Sequence, residues 1–215
     1  MIAQYGKSLQ HVSLPRAKLC TRPPKPEKFG WSVDDRAITA LVENCPHLEN
    51  LDISASSLLT SSAIQTIFRK CSKLKYLTMS GCKEIDGYWT EENISGSSPL
   101  VKLDISNCQD LYLTAARCIA TTCHALTELD ASETGTLNDA AIETLLTNCT
   151  NLTDLNLAFC ENLTTVGLEA ILKTSKLTQL NIRGSFLSLP SEWVAKLISF
   201  KESQITTFPE ARIYI

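Results

Sequence analysis

Apolar residues along this chain follow two alternating periods. In the segments that begin at Leu48, Leu74, Leu100, Leu126, Leu152 and Leu177, apolar side chains stand at relative positions 0, 3 and 5, as in Leu74, Leu77 and Met79. Another follows at position 11 in Ile85, Leu111, Leu137 and Leu163. That spacing predicts a short strand and then a turn. The second half of the unit changes period: Ile64, Ile67 and Phe68, then Ile142, Leu145 and Leu146, then Leu168, Ile171 and Leu172 are spaced i, i+3, i+4. Such spacing makes one apolar helical face. Asp35, Ser62 and Asp139 fall near the predicted helix starts, where a side-chain oxygen accepts from unpaired backbone amides.

The leading leucines at 48, 74, 100, 126 and 152 recur every 26 residues, and 177 follows after 25. A further copy begins at Leu9, 39 residues before Leu48, which is one period plus 13. One unit cannot bury its own leucines, so neighbours must stack, with parallel strands on a concave face and helices on a convex one. The expectation is an α/β horseshoe solenoid, one domain over residues 1–215, with repeats starting near 9, 48, 74, 100, 126, 152 and 177 and therefore seven strands. Residues 20–32 form an insertion. Residues 188–215 form a C-terminal cap, in which Val194, Leu197 and Ile198 make the apolar face of a helix entered through Pro190. Residues 2–7 read as the tail of a preceding helix, so further repeats or another domain are expected before them.

Composition narrows the field. With 44% apolar residues and 23 acidic against 20 basic side chains, the net charge of −3 gives no field for nucleic acid. No apolar run reaches the roughly 18 residues of a membrane span, and the N-terminus lacks the basic-then-apolar order of a signal peptide. The expectation is a soluble protein of the cytoplasm, the nucleus or, for a bacterial effector, the host cytosol. Nine cysteines without a signal peptide read as reduced thiols. Cys118 occupies a helix position that is Thr66, Thr144 or Ala170 in sister units, so it and Cys20 are expected to be the most reactive.

Two columns of small residues recur. Position 8 reads Ala17, Ser56, Cys82, Cys108, Thr134, Cys160, Ser185, and the position three before each leading leucine reads Cys45, Cys71, Ser97, Cys123, Cys149, Thr174. A thiol or hydroxyl fits a tight buried turn and donates to a carbonyl the turn leaves unpaired. Cys118, Cys123 and His124 lie close in sequence, but the interchange with Ser and Thr fits a small donor better than a metal ligand. The two columns resemble the signature of cysteine-containing leucine-rich repeats, over roughly residues 8–190. That type is found in F-box/leucine-rich-repeat substrate receptors of ubiquitin ligases, in F-box-less relatives and in some secreted bacterial effectors. The resemblance implies a protein–protein interaction module that recognises a substrate or regulator; no segment here resembles an F-box. A stand-alone effector, or a repeat region attached to a catalytic domain, is the alternative it leaves open.

Function in a solenoid belongs to the concave face and to departures from the repeat. Position 2 reads His11, Asn50, Tyr76, Lys102, Glu128, Asp154, Gln179, varied in size and charge as a tailored surface is. Position 4 reads Ser13, Asp52, Thr78, Asp104, Asp130, Asn156, Asn181 and looks like a solvated ladder, at which Asp130→Ala should cost little stability. Phe159 and Arg183 replace small residues just after the strands. The candidate partner-binding residues are therefore Tyr76, Lys102, Asp104, Glu128, Asp130, Asp154, Phe159 and Arg183. Phe29 and Trp31 in the Pro-rich insertion are a candidate lid, or aromatics tucked against the solenoid. In residues 86–99, Thr90 and Asn93 break the helical pattern, and Tyr88 and Trp89 either plug the gap or stand out as a contact patch. His11, His47 and His124 fall in different units with no orienting group, so no enzyme is expected. The expected partner is a protein bound by a monomer, without a cofactor, a metal, nucleic acid or a membrane.

Overall fold

Among the described residues, a central aliphatic side chain, leucine in six of them, marks eight three-residue strands: β1 (His11–Ser13), β2 (Asn50–Asp52), β3 (Tyr76–Thr78), β4 (Lys102–Asp104), β5 (Glu128–Asp130), β6 (Asp154–Asn156), β7 (Gln179–Asn181) and β8 (Arg212–Tyr214). They form one parallel sheet in sequential order. The structure is a computed structural model that describes residues 6–14, 33–86, 89, 94, 97–108, 113–174, 176–186, 189–207 and 212–214. Among the described residues six helices return the chain: α1 (Asp35–Asn44), α2 (Ser61–Lys70), α3 (Leu113–Thr122), α4 (Asp139–Asn148), α5 (Thr165–Leu172) and α6 (Ser191–Thr207). A 3-10 turn at Gly6–Ser8 precedes them, where a helix tail was expected. The insertion 20–32, with Cys20, Phe29 and Trp31, lies outside the described residues, as do Ala17, Tyr88, Thr90, Asn93 and Leu111.

Register aligns the unit without a slip. Leu51, Leu77, Leu103, Leu129, Leu155 and Leu180 are paired strand to strand, so each stacks on the next in one buried row. Each such leucine contributes about 1.5–3 kcal/mol by leaving water. Because the side-chain period is two, the residues on either side face away from that row.

The position-8 column latches one unit to the one before it. Cys82, Cys108 and Cys160 donate through Sγ to the carbonyls of Ile53, Met79 and Ala131 at 3.2, 3.2 and 3.1 Å. Thr134 Oγ1 does the same to Ile105 at 3.3 Å, and Ser185 Oγ to Leu157. The acceptor is always the strand-exit carbonyl of the preceding unit. In the second column, Cys45, Cys71 and Cys149 end α1, α2 and α4, and their carbonyls accept from the leading leucine three residues on. All eight described cysteines are buried, and no disulfide joins any of them.

Two expectations need correction. The helix N-caps are Asp34, Thr60, Asn138 and Thr164, not Asp35, Ser62 and Asp139. Asp35 and Asp139 sit one residue inside their helices, and their carboxylates reach the next unit's cap: Asp139 accepts from Thr164 N at 2.8 Å and Oγ1 at 2.5 Å, and Asp35 from Thr60 N at 2.9 Å and Oγ1 at 2.6 Å. Cys118 is not an accessible thiol. It is 1% exposed and donates to the Trp89 carbonyl at 3.1 Å. Among the described residues no helix connects β3 to β4; Trp89, also 1% exposed, fills that space against Phe68 with ring centroids 6.0 Å apart.

The C-terminal cap differs in two ways. α6 buries Leu197 and Phe200, with Trp193 packed against the core, while Val194 and Ile198 are exposed. Lys196 Nζ lies 3.9 Å from the Trp193 ring centre. After the helix the chain adds β8 beside β7, an eighth strand where seven were expected.

Candidate functional site

The concave face is built by strand register. Position 2 forms the row His11, Asn50, Tyr76, Lys102, Glu128, Asp154, Gln179, and position 4 the row Ser13, Asp52, Thr78, Asp104, Asp130, Asn156, Asn181. β8 extends them with Arg212 and Tyr214. Tyr76 is 39% and Tyr214 55% exposed. Eight strands at about 4.8 Å spacing make a face roughly 34 Å across. Such a face suits the ~800 Å² that a protein complex buries on each partner.

Position 4 is more than a solvated ladder, contrary to expectation. Asp52, Asp104 and Asp130 each accept through Oδ1 from the backbone N–H two residues on, at 3.0 Å, and from the hydroxyl of the same serine at 2.6–2.7 Å. This side-chain turn stops each strand after three residues and redirects the chain. Burial pushes the Asp52 carboxyl up, but the Ser54 and Ser13 hydrogen bonds together outweigh it and hold it below its ordinary 3.8. Lys102 Nζ meets Glu128 Oε2 at 2.7 Å. That hydrogen bond is the largest cause; burial opposes it next, and the Glu128, Asp104 and Asp130 charges add to a net rise of Lys102 above its ordinary 10.5. Lys102, Asp104, Glu128, Asp130 and Asp154, with Tyr214, line a concave pocket of about 470 Å³.

Three residues beyond position 4, the backbone is left-handed in every described unit from β2 to β7: Ala55, Gly81, Asn107, Glu133, Phe159 and Gly184 have φ between 54° and 73°. Glycine and asparagine suit that region; an aromatic there costs about 1–2 kcal/mol. Phe159 nevertheless sits at φ 59° and is 52% exposed. Its ring lies over Gly184, where an added Cβ would stand 2.6 Å from Phe159 Cδ1 and displace the ring. Glu133 and Glu161 join Phe159 around an open depression of about 690 Å³ at the rim. Arg183 is exposed one position before Gly184.

The structure thus brings Lys102, Asp104, Glu128, Asp130 and Asp154 together, with Tyr76 further along the same row and Phe159 and Arg183 at the rim. Sequence reading missed Tyr214, Glu133 and Glu161. The first lies 33 residues after its register partner Asn181 and outside the period; the other two carry the ordinary look of exposed turn residues. The histidines do not converge: His11 is on β1, His47 Nδ1 lies 3.0 Å from Lys73 Nζ, and His124 is exposed in the loop before β5. Among the described residues no three His, Cys, Asp or Glu side chains group as metal ligands, and no helix is long and apolar enough to cross a membrane.

Comparison with known proteins agrees with this geometry. The family model described as "Leucine Rich repeat" matches residues 148–172, the unit of β6 and α5. Among solved structures, a chain of the yeast Rad7 and Elc1 complex superposes with a TM-score of 0.59 at 18% identity, over 73% of this chain and 41% of that one. This chain therefore spans less than half of the chain it matches. The Caenorhabditis elegans tropomodulin C-terminal domain covers 97% of this chain and 91% of its own at 13% identity, with a TM-score of only 0.39 that carries no argument. A search of curated protein sequences found no match. The chain is a leucine-rich-repeat solenoid. As 115 solved chains match it, the fold is shared too widely to select a function.

Proposed function

We propose that this solenoid is a protein-recognition module that seats its partner on the concave face of β3–β7, with Phe159 as an anchor at the rim. The observation that carries the reading is Phe159, a half-exposed aromatic kept in a backbone region that disfavours it. Packing does not require a phenyl ring there, because the same position is Ala55, Asn107 or Glu133 in sister units. Strain at a surface aromatic fits a contact role, and aromatics dominate interface hot spots. The resemblance to F-box/leucine-rich-repeat receptors supports substrate or regulator recognition, and the similarity to a Rad7 and Elc1 structure fits a repeat that works in a complex with other proteins.

The test is partner capture from extract of the source cell, compared among the wild type, Tyr76→Ala/Phe159→Ala and the convex change Glu143→Ala. The double change should leave the thermal midpoint nearly unchanged and weaken capture by about 2 kcal/mol, the scale of a hot spot. Capture that survives the concave change but fails with Glu143→Ala, or with deletion of residues 21–31 alone, sinks this assignment.

A further inference from the structure

The turn after each strand needs an acceptor atom, but it does not need a charge. Asp104 and Asp130 accept the N–H of Ser106 and Ser132 on Oδ1 at 3.0 Å. Asn156 and Asn181 make the same turn with a neutral amide, accepting from Ala158 and Arg183 at 3.2 Å. Folding therefore accounts for the oxygen at position 4 and not for the negative charge.

Register makes that charge unfavourable in the free protein. Asp104 is directly opposite Asp130, and Glu128 directly opposite Asp154, and like charges paired across neighbouring strands repel. Lys102 on Glu128 and Asn156 Nδ2, which donates to Asp130 Oδ2 at 2.8 Å, offset only part of it. Four carboxylates against one lysine leave −3 on this one pocket, as much as the net charge of the entire chain. The negative field is concentrated on an unpartnered sheet face rather than spread over the surface. At the rim, the exposed Phe159 ring shares an open depression with Glu133 and Glu161, where a cation gains from the ring and from both carboxylates.

We infer that the concave face of β4–β6 takes a cationic protein segment, whose arginine or lysine side chains lie against Asp104, Asp130 and Asp154 and against the Phe159 ring. This rests on the proposed function and adds the chemistry of the partner. A nucleic acid or an acidic segment meets the same field as repulsion.

The experiment is fluorescence anisotropy of the full chain with a labelled peptide of alternating arginine and alanine, and with its glutamate–alanine counterpart. Asp104→Asn/Asp130→Asn removes two charges while keeping the turn acceptors. Glu143→Gln/Glu192→Gln removes two charges from the exposed surfaces of α4 and α6. The arginine peptide should bind, and the glutamate peptide should not. The asparagine pair should weaken binding about tenfold with a thermal midpoint within about 5 °C of the wild type, the Asn156 bond to Asp130 being the only contact it loses, and the glutamine pair should change binding less than about twofold. Equal losses in the two variants would mean that the peptide senses only net charge, and would overturn the inference. So would no binding by the wild type, or a fall in midpoint of more than about 5 °C in the asparagine pair, which would make the carboxylates structural. If the arginine peptide fails while capture of the partner still depends on Tyr76 and Phe159, the inference falls and the proposed function stands; if both fail, both fall.

Discussion

The units of β5–β7 and the stretch between β3 and β4 solve one packing problem in different ways. Behind β5–β7, α4 and α5 follow with apolar faces made of Ile142 and Leu145, then Leu168 and Ile171. Between β3 and β4 no helix is found among the described residues, and the indole of Trp89, with Ile94, is buried in the same core cluster. Strand register is identical in both regions, down to the leucine row and the Cys108 and Cys160 latches. The strand half of the unit is thus obligatory, because each strand's partners are its neighbours. The helix half is replaceable by any apolar volume of the right size.

Trp89→Ala tests that contrast most severely. With the whole filler removed, it should cost about 3–5 kcal/mol in urea unfolding, and a smaller loss than at a single leucine would break the comparison. Leu155→Ala in a regular unit should cost about 2–5 kcal/mol, and Leu103→Ala beside the helix-less stretch should match it if the strand row is uniform. Burial pushes the thiols of Cys71, Cys108 and Cys123 up to about 12 from their ordinary 9.0. A raised acid favours the fold while protonated, so stability should be full below pH 9.0 and fall as pH rises towards about 12; a flat urea midpoint across that window would refute it. Cys108→Val leaves the Met79 carbonyl without its donor and should cost about 1–3 kcal/mol, whereas Cys108→Ser should stay near wild type. The smallest effects are at Asp130: about 1 kcal/mol or more for Asp130→Ala from the lost turn, and less for Asp130→Asn, which keeps the turn and loses only the bond from Asn156.

The repeat, its register and the leucine row were readable because a 26-residue period and a two-residue alternation leave little freedom. The small-donor columns were readable because Cys, Ser and Thr share only size and a donor. Other features were ambiguous for physical reasons. Asp34 and Asp35 are adjacent and both can cap, and only geometry shows that Asp34 caps α1 while Asp35 holds Thr60. α6 is apolar on more than one side, so Trp193, Leu197 and Phe200 compete with Val194, Leu197 and Ile198 as its buried face, and docking decides. β8 carries no leucine and lies off the period. Cys118 looked exposed by analogy with Thr144, but its cover, Trp89, comes from the one unit that departs from the pattern. Of the candidate site, the rows were legible while the role of position 4 in ending strands was not, because an aspartate beside solvent and one that closes a turn look alike in sequence.

The position-8 latches all point backwards along the chain, and this gives the solenoid a direction of growth. The carbonyls of Ile53, Met79, Ile105, Ala131 and Leu157 each wait for a donor that lies 28 or 29 residues further on. On a ribosome, every newly emerged unit therefore completes the one made before it and leaves its own exit carbonyl open for the next. Assembly in the order of synthesis closes this latch, together with the strand hydrogen bonds beside it, as each unit arrives, so translation and folding advance together like a ratchet.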